Sequence, residues 1–154
     1  MQRRTLLQAM TLLGTLPNLA FAKTETIEVY KSATCGCCTE WVEHLQANGF
    51  EVKTQNVPNT AAYRARFGIP AALGSCHTAR IAGYALEGHV PAREIRRLLA
   101  EKPNAVGLTV PGMPMGSPGM EMPDMQADAY DVLLVRKDGS HAVYQHYKAR
   151  QVAR

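Results

Sequence analysis

The sequence predicts one α/β domain, a mixed sheet flanked by helices that closes with a C-terminal β-hairpin. Two observations favour this fold class. Strand-like and helix-like segments alternate through the first half of the chain, which is typical of a sheet with helices packed on it. The last strand-like segments, residues 130–135 and 141–147, flank Asp138-Gly139, a dipeptide that favours a tight hairpin turn.

The first strand and the first helix surround a cluster of cysteines. Residues 27–30 alternate apolar and polar side chains and predict a strand. After a loop of small residues, apolar positions recur at helical spacing and predict the buried face of a helix: Cys38, Trp41, Val42 and Leu45. Because Cys35 and Cys38 lie between this strand and this helix, the sheet is expected to be thioredoxin-like.

The remaining elements continue the alternation. A short strand over about residues 51–57 precedes a helix that begins at Pro58-Asn59-Thr60. Residues 79–86 predict a strand, or a hairpin bent at Gly83. Pro91 suits the first position of a further helix, because its missing N–H is not needed there. The predicted buried face of that helix consists of Ile95, Leu98 and Leu99.

Residues 110–128 form a segment of a different kind. It contains five methionines and four prolines and has almost no periodicity, so it predicts a long irregular loop. Loops of this length are uncommon in compact domains unless they serve a function.

The N-terminus has the features of an export signal. Arg3 and Arg4 precede a modestly apolar run, and Ala20-Phe21-Ala22 forms an A-x-A cleavage site. Residues 1–22 are therefore predicted to be a signal peptide, and residues 23–154 a single exported domain that begins at Lys23. The adjacent arginines suit either a twin-arginine signal or an ordinary one, and both remain open.

Size and charge exclude several classes of function. Removal of residues 1–22 takes two arginines from a chain of formal charge +4, which leaves +2 on 132 of 154 residues. Such a chain is long enough to bury one hydrophobic core. Its small net charge and the lack of a run of Lys or Arg predict no nucleic-acid-binding surface. No segment is long and apolar enough to predict a membrane span.

The four cysteines are spaced poorly for structural disulfides. In an exported protein four cysteines predict two disulfides by default. Here Cys35, Cys37 and Cys38 lie within one turn of chain, and Cys76 alone is distant. Unpaired N–H groups at a helix start favour thiolate over thiol, so at least one clustered sulfur should titrate well below about 8.5. Cys38 should be the most buried of the three.

The whole donor set favours copper. A dithiol oxidoreductase needs two cysteines and has no use for a third sulfur or a methionine-rich loop, whereas soft thiolate and thioether ligands select Cu(I). Zinc is the competing metal, but adjacent Cys37-Cys38 with one downstream cysteine is poor spacing for a Cys₄ zinc site.

Methionine and histidine side chains are further candidate ligands. Met113 and Met120 belong to two M-x-M pairs in the irregular segment, where the alternative is that methionine fills gaps in the core. His77 adjoins Cys76 and is a candidate ligand, a residue that tunes Cys76, or a surface histidine. His89 could be a structural hydrogen-bonding residue before a helix. Three histidines are predicted on the surface: His44, His141 and His146.

Four motifs taken together resemble a known family. They are Thr34-Cys35-Gly36-Cys37-Cys38, Ser75-Cys76-His77-Thr78, Glu87-Gly88-His89-Val90-Pro91, and the methionine segment that begins Val110-Pro111-Gly112-Met113-Pro114. Over nearly the whole mature chain the sequence is similar to the CopG-like periplasmic copper-resistance proteins, formerly catalogued as a domain of unknown function. The combination is specific, although CxCC alone would be weak.

The resemblance implies a thioredoxin-like fold and a Cu(I) site made by Cys35, Cys37, Cys38 and Cys76, with a multinuclear thiolate cluster as one arrangement. It also implies interconversion of Cu(I) and Cu(II) in the periplasm, alongside copper export or chaperone proteins as partners. Two other functions remain open on the residues: a thiol-disulfide oxidoreductase that uses Cys35 and Cys38, and a passive copper carrier. Whether the chain is an enzyme therefore stays undecided at this point.

Overall fold

The computed structural model describes residues 25–150. The predicted signal peptide, its cleavage site at Lys23 and the last four residues lie outside this range. The described chain forms seven strands, three α-helices and one 3₁₀ turn at Ala71–Leu73. The strands are β1 (Thr26–Lys31), β2 (Glu51–Asn56), β3 (Thr78–Ile81), β4 (Tyr84–Glu87), β5 (Gly107–Thr109), β6 (Tyr130–Val135) and β7 (His141–Tyr147). The helices are α1 (Gly36–Ala47), α2 (Thr60–Arg66) and α3 (Ala92–Glu101).

All seven strands form one mixed sheet in the order β2-β1-β3-β4-β5-β6-β7. The β1/β2 and β4/β5 pairs are parallel, and the other neighbours are antiparallel. This confirms the predicted mixed α/β sheet and its C-terminal hairpin, β6-β7. Among residues 25–150, no helix combines the length and the apolar character that crossing a bilayer requires.

Buried side chains on the sheet and helices form the main core. The face of α1 predicted from helical spacing is buried as expected, and Trp41 has no exposed surface. On α3, Ile95 and Leu98 are fully buried, and Leu99 packs against the core while partly exposed. The core therefore fixes α1 against the sheet, with the cysteine-bearing start of the helix at the end of β1.

Most predicted boundaries hold within a residue or two. Asn59 caps α2 by accepting from the Ala62 N–H, and residues 79–86 form a hairpin, β3-β4, as one of the two alternatives predicted. The sequence interpretation missed β5, whose three residues are too short to show a period. The prediction of His44 as a surface residue was wrong. His44 is partly buried, and its Nε2 accepts a hydrogen bond from the Ala92 N–H at the start of α3.

Residues 110–128 are irregular, as predicted, apart from one isolated bridge between Ala127 and Arg150. Hydrogen bonds nevertheless hold the segment to the domain. Its first part is fixed where the Gly112 N–H donates to the Gly74 carbonyl at 3.0 Å, and its last part where Met115 and Asp128 bond to each other. The segment is therefore an ordered strap across the cysteine end of the sheet.

Candidate metal centre

The start of α1 presents three cysteines together. Cys35 is the N-cap residue of the helix, and Cys37 and Cys38 lie in its first turn. Cys38 is fully buried on the apolar face, while Cys35 and Cys37 are partly exposed, as the helical pattern predicted. The first-turn N–H groups have no intrahelical acceptor, so this end of the helix stabilises negative charge on a sulfur.

The tertiary fold adds the fourth sulfur. Cys76 lies on the loop between the 3₁₀ turn and β3, and β3 pairs directly with β1, so this loop meets the start of α1. The Cys76 Sγ is 3.5 Å from that of Cys38 and 3.9 Å from that of Cys37, and the Cys35 and Cys37 sulfurs are 3.6 Å apart. All four sulfurs lie within 4.8 Å of one another.

Two of the four sulfurs are joined in this structure. Cys35 and Cys38 form a disulfide, and Cys37 and Cys76 are free thiols. Burial and, to a smaller extent, the neighbouring Cys37 raise the pKa of Cys76 to about 12. Cys76 is therefore a neutral thiol near neutral pH unless a cation compensates the charge of its thiolate.

Two buried histidines face the sulfur of Cys76. The His77 Nδ1 lies 3.3 Å from that sulfur and the His89 Nε2 lies 3.2 Å from it. The His89 Nδ1 is 2.8 Å from the Pro118 carbonyl oxygen, which only accepts, so Nδ1 carries the hydrogen and Nε2 keeps a lone pair toward Cys76. Burial lowers the pKa of both rings, that of His77 to about 3, and both are neutral at pH 7.

His77 is held between aromatic surfaces. Its ring lies 4.3 Å from the Trp41 ring and 5.0 Å from the His89 ring, measured between centroids. The Trp41 indole N–H donates to the Val90 carbonyl at 2.9 Å, which fixes the tryptophan. The His77 Nε2 is buried without a hydrogen-bond partner among the described residues. Burial therefore excludes the surface alternative for His77, and within residues 25–150 its side chain makes one polar contact, with Cys76.

A buried ion pair anchors the Cys76 loop. The Glu87 Oε1, fully buried at the end of β4, accepts from the Arg64 Nε at 2.6 Å and from the Ser75 N–H at 2.7 Å. The Arg64 Nη2 donates to the Ser75 carbonyl at 2.6 Å. Both polar groups of Ser75's main chain are thus tied to charged side chains, which fixes the peptide that precedes Cys76.

The methionine segment packs on the start of α1. Gly119 adopts a left-handed backbone (φ +83). A Cβ there would lie 2.6 Å from the main-chain nitrogen of Trp41 and 2.8 Å from the carbonyl oxygen of Cys37. Only glycine permits this approach. The Pro118 carbonyl bonds to His89 on the other side. The segment therefore covers both the first turn of α1 and the histidine pair.

The two predicted methionine candidates line a cleft that also contains Cys37. Met113 and Met120 line an open cleft of about 560 Å³ together with Cys37 and Met122. Met113 has 52% of its surface exposed, which excludes the core-filling alternative for that residue. The cleft gives solvent a route to Cys37 along thioether side chains.

The structure thus brings together five of the seven predicted site residues: Cys35, Cys37, Cys38, Cys76 and His77. Met113 and Met120 lie in the adjoining cleft. The sequence interpretation missed His89 as a donor. Thirteen positions separate it from Cys76, and its place in the Gly88-His89-Val90-Pro91 turn indicated hydrogen bonding, which it does provide on its other nitrogen.

The donors suit a soft metal ion. Thiolate and thioether sulfur prefer Cu(I), and neutral imidazole accepts copper or zinc. A metal-ligating histidine commonly donates its other ring N–H to a carbonyl, as His89 does to Pro118. Cys37 and Cys76 are free to act as ligands in the present state, and reduction of the disulfide would release two more.

Comparisons with known proteins agree with this chemistry. The profile of the family described as "Protein of unknown function, DUF411" matches residues 73–120. Two solved structures, described as copper resistance protein CopG in form 2 and in form 1, share 45% sequence identity with this chain and superpose with a TM-score of 0.77. The matches cover 81% and 82% of this chain and 99% of each of those chains. No curated protein matches. At this identity and coverage, the chain belongs to the CopG family of copper-resistance proteins.

Proposed function

We propose that this protein binds copper in copper resistance, holding Cu(I) on the thiolates of Cys35, Cys37, Cys38 and Cys76 in the periplasm. The observation that supports it most directly is the approach of four sulfurs to within 4.8 Å of one another. Structural cysteines are paired at a distance in the chain, whereas these converge from one helix start and one loop. Copper is the cargo of such a site, and adjacent Cys37-Cys38 with one downstream cysteine is poor spacing for a Cys₄ zinc site.

The methionine cleft supports an access route. Met113 and Met120 lie beside Cys37, the partly exposed free thiol, so Cu(I) would meet thioethers before thiolates. A thioether is uncharged and holds Cu(I) less firmly than a thiolate, which favours passage inward. Copper export or chaperone proteins would deliver or collect the ion at this open side.

The disulfide supports a redox role within the same site. Oxidation of the Cys35/Cys38 dithiol releases two electrons and two protons, and two Cu(II) ions that each accept one electron become two Cu(I) ions. The balance requires no other reactant in that direction, and a dithiol reductant would restore the thiols. In the reverse direction the disulfide would accept one electron from each of two Cu(I) ions together with two protons, which gives the dithiol and two Cu(II) ions. The protein would then interconvert the two copper states rather than carry one of them passively.

A competition experiment tests the copper site. Reduced wild-type protein, Cys37→Ser and Cys76→Ser are titrated against a Cu(I) chelator, and insulin reduction is measured in parallel. Both variants should lose Cu(I) affinity or stoichiometry, because a serine hydroxyl does not replace a soft anionic ligand. Unchanged copper retention in both variants would refute the four-sulfur site.

The same disulfide favours a second candidate function, thiol-disulfide exchange by Cys35 and Cys38. A C-x-x-C disulfide at a helix start is the arrangement that such enzymes use. This function needs neither Cys37 nor Cys76. Strong insulin reduction that survives both serine substitutions, together with unchanged copper retention, would promote it over the copper site.

A further inference from the structure

Cys76 belongs to two groups of donors. One is the four-sulfur group, and the other consists of Cys76, His77 and His89, whose ligand atoms also lie within 4.8 Å of one another. The sulfur is close to His77 Nδ1 at 3.3 Å and to His89 Nε2 at 3.2 Å. One side of Cys76 therefore faces sulfur and the other side faces nitrogen.

The Cys35–Cys38 disulfide affects only the sulfur side. Once it forms, these two atoms are no longer thiolates, and the four-sulfur group retains only Cys37 and Cys76. The nitrogen side is unchanged, because neither histidine bonds to the disulfide in the described structure. Oxidation thus changes the donors around Cys76 from mainly thiolate to thiolate with two imidazoles.

The spacing of the second group suits a bound ion. With metal–sulfur and metal–nitrogen bonds of about 2.3 and 2.0–2.1 Å, tetrahedral ligands lie about 3.6 Å apart. The two sulfur–nitrogen distances are 3.2 and 3.3 Å, so the atoms need to separate by only a few tenths of an ångström. The His89 ring is already fixed by Pro118 with its lone pair toward the sulfur.

His77 supplies an independent observation. Its ring is fully buried. Within residues 25–150 its Nε2 has no hydrogen-bond partner, and its Nδ1 makes a polar contact with Cys76 alone. A buried imidazole that makes one weak contact with a thiol gains little from it, since unsatisfied polar groups are costly in the interior. A metal–nitrogen bond at Nδ1 would replace that weak contact, with the ring hydrogen left on Nε2.

We propose that the disulfide form of this protein has a second metal site, which takes a divalent ion of borderline softness. It is made by Cys76, His77 and His89, and it shares Cys76 with the four-sulfur group. One thiolate with two imidazoles suits Cu(II) or Zn(II), whereas four thiolates suit Cu(I). The inference rests on the proposed function, because the oxidation state of the Cys35/Cys38 pair then selects which of the two donor groups around Cys76 binds copper.

Cobalt(II) is the probe, because it reports thiolate ligation by charge-transfer absorption and does not oxidise thiols. The mature chain is prepared with the Cys35–Cys38 disulfide intact, which mass analysis after alkylation verifies. Addition of Co(II) should give one equivalent of bound metal and a sulfur-to-cobalt band. The Cys37→Ser variant should retain that band and Cys76→Ser should lose it. Absence of the band in the wild-type disulfide form would overturn the proposal.

Histidine variants identify the nitrogen donors. His89→Gln keeps an N–H donor for the Pro118 carbonyl but removes the imidazole, and it should weaken Co(II) binding about tenfold or more. His77→Ala should do the same. His146→Ala is the matched control, because His146 is exposed and pairs with Asp131 away from the site. Equal affinities in His89→Gln and His146→Ala would refute the assignment.

Two further measurements guard against misfolding and separate the two hypotheses. Imidazole ¹⁵N NMR of the unaltered disulfide form should show two nitrogens shifted by Zn(II), and no shift would overturn the proposal. Cu(I) competition on reduced His89→Gln should match the wild-type protein. An equal loss of Cu(I) and Co(II) affinity in His89→Gln would show one merged site and overturn the proposal. If the reduced wild-type protein fails to retain Cu(I) while its disulfide form still binds Co(II), the proposed function alone is refuted.

Discussion

Replacement of Arg64 by methionine should destabilise the protein severely, because it leaves the carboxylate of Glu87 buried without its cation. The side chains of Arg64 and Glu87 are 12% and 0% exposed. The substitution removes the bond to the Glu87 Oε1 at 2.6 Å and the bond to the Ser75 carbonyl at 2.6 Å. Hydrogen bonds to charged groups contribute about 1.5–3 kcal/mol each, and loss of one partner of a buried pair costs about 3–5 kcal/mol.

The expected loss of unfolding free energy is therefore about 3–5 kcal/mol. Denaturant unfolding followed by the fluorescence of Trp41, the single tryptophan, measures it. Arg66→Met is the matched control, since Arg66 is exposed on the same helix and should cost less than about 0.5 kcal/mol. The double variant Arg64→Met/Glu87→Gln should recover part of the loss, because the remaining group is neutral and still accepts from Ser75.

The loss should also depend on pH. Burial raises the pKa of Glu87 in the folded protein above 4.5, while Arg64 opposes that rise. A raised pKa of an acid makes stability fall as pH increases through the folded-state value, because the folded protein holds a proton that the unfolded chain has lost. Removal of Arg64 raises this pKa further, so the destabilisation should be smaller near pH 5 than near pH 8. A loss below about 1 kcal/mol at pH 8, or a double variant no more stable than the single one, would refute the buried-pair reasoning.

Three further predictions concern the strap, the thiols and the N-terminus. Gly119→Ala places a Cβ against the backbone of Trp41 and Cys37, so the strap should detach from α1. Limited proteolysis should then cut the strap many times faster than in the wild-type protein, and an unchanged cleavage rate would argue against the close approach. In the metal-free disulfide form, Cys76 should be alkylated slowly near pH 7, with a rate that rises with pH toward a pKa of about 12. Copper loading should release its proton, and titration near about 8.5 would contradict this. Intact-mass analysis of the exported form should show a chain that begins at Lys23, and retention of residues 1–22 would contradict the predicted cleavage.

Local patterns were enough to predict most of the fold. The period of Cys38, Trp41 and Leu45 predicted α1 and its buried face, and the Asp138-Gly139 turn predicted the terminal hairpin. These succeed because amphipathic period and turn chemistry depend on neighbours in the chain. The three-residue β5 has no such local signal, since its pairing with β4 and β6 comes from distant segments.

The candidate metal centre, like the fold, was predictable from the sequence only in part. The sequence alone determined that three sulfurs lie at a helix start and that a methionine-rich irregular segment accompanies them, because both are properties of contiguous residues. Only the tertiary structure decided that β3 pairs with β1 and so brings Cys76 against α1, and that the strap reaches His89 through Pro118. His77 and His89 face the same sulfur because sheet register and loop packing place them together. The number of residues between two positions does not determine how far apart their side chains lie in the fold.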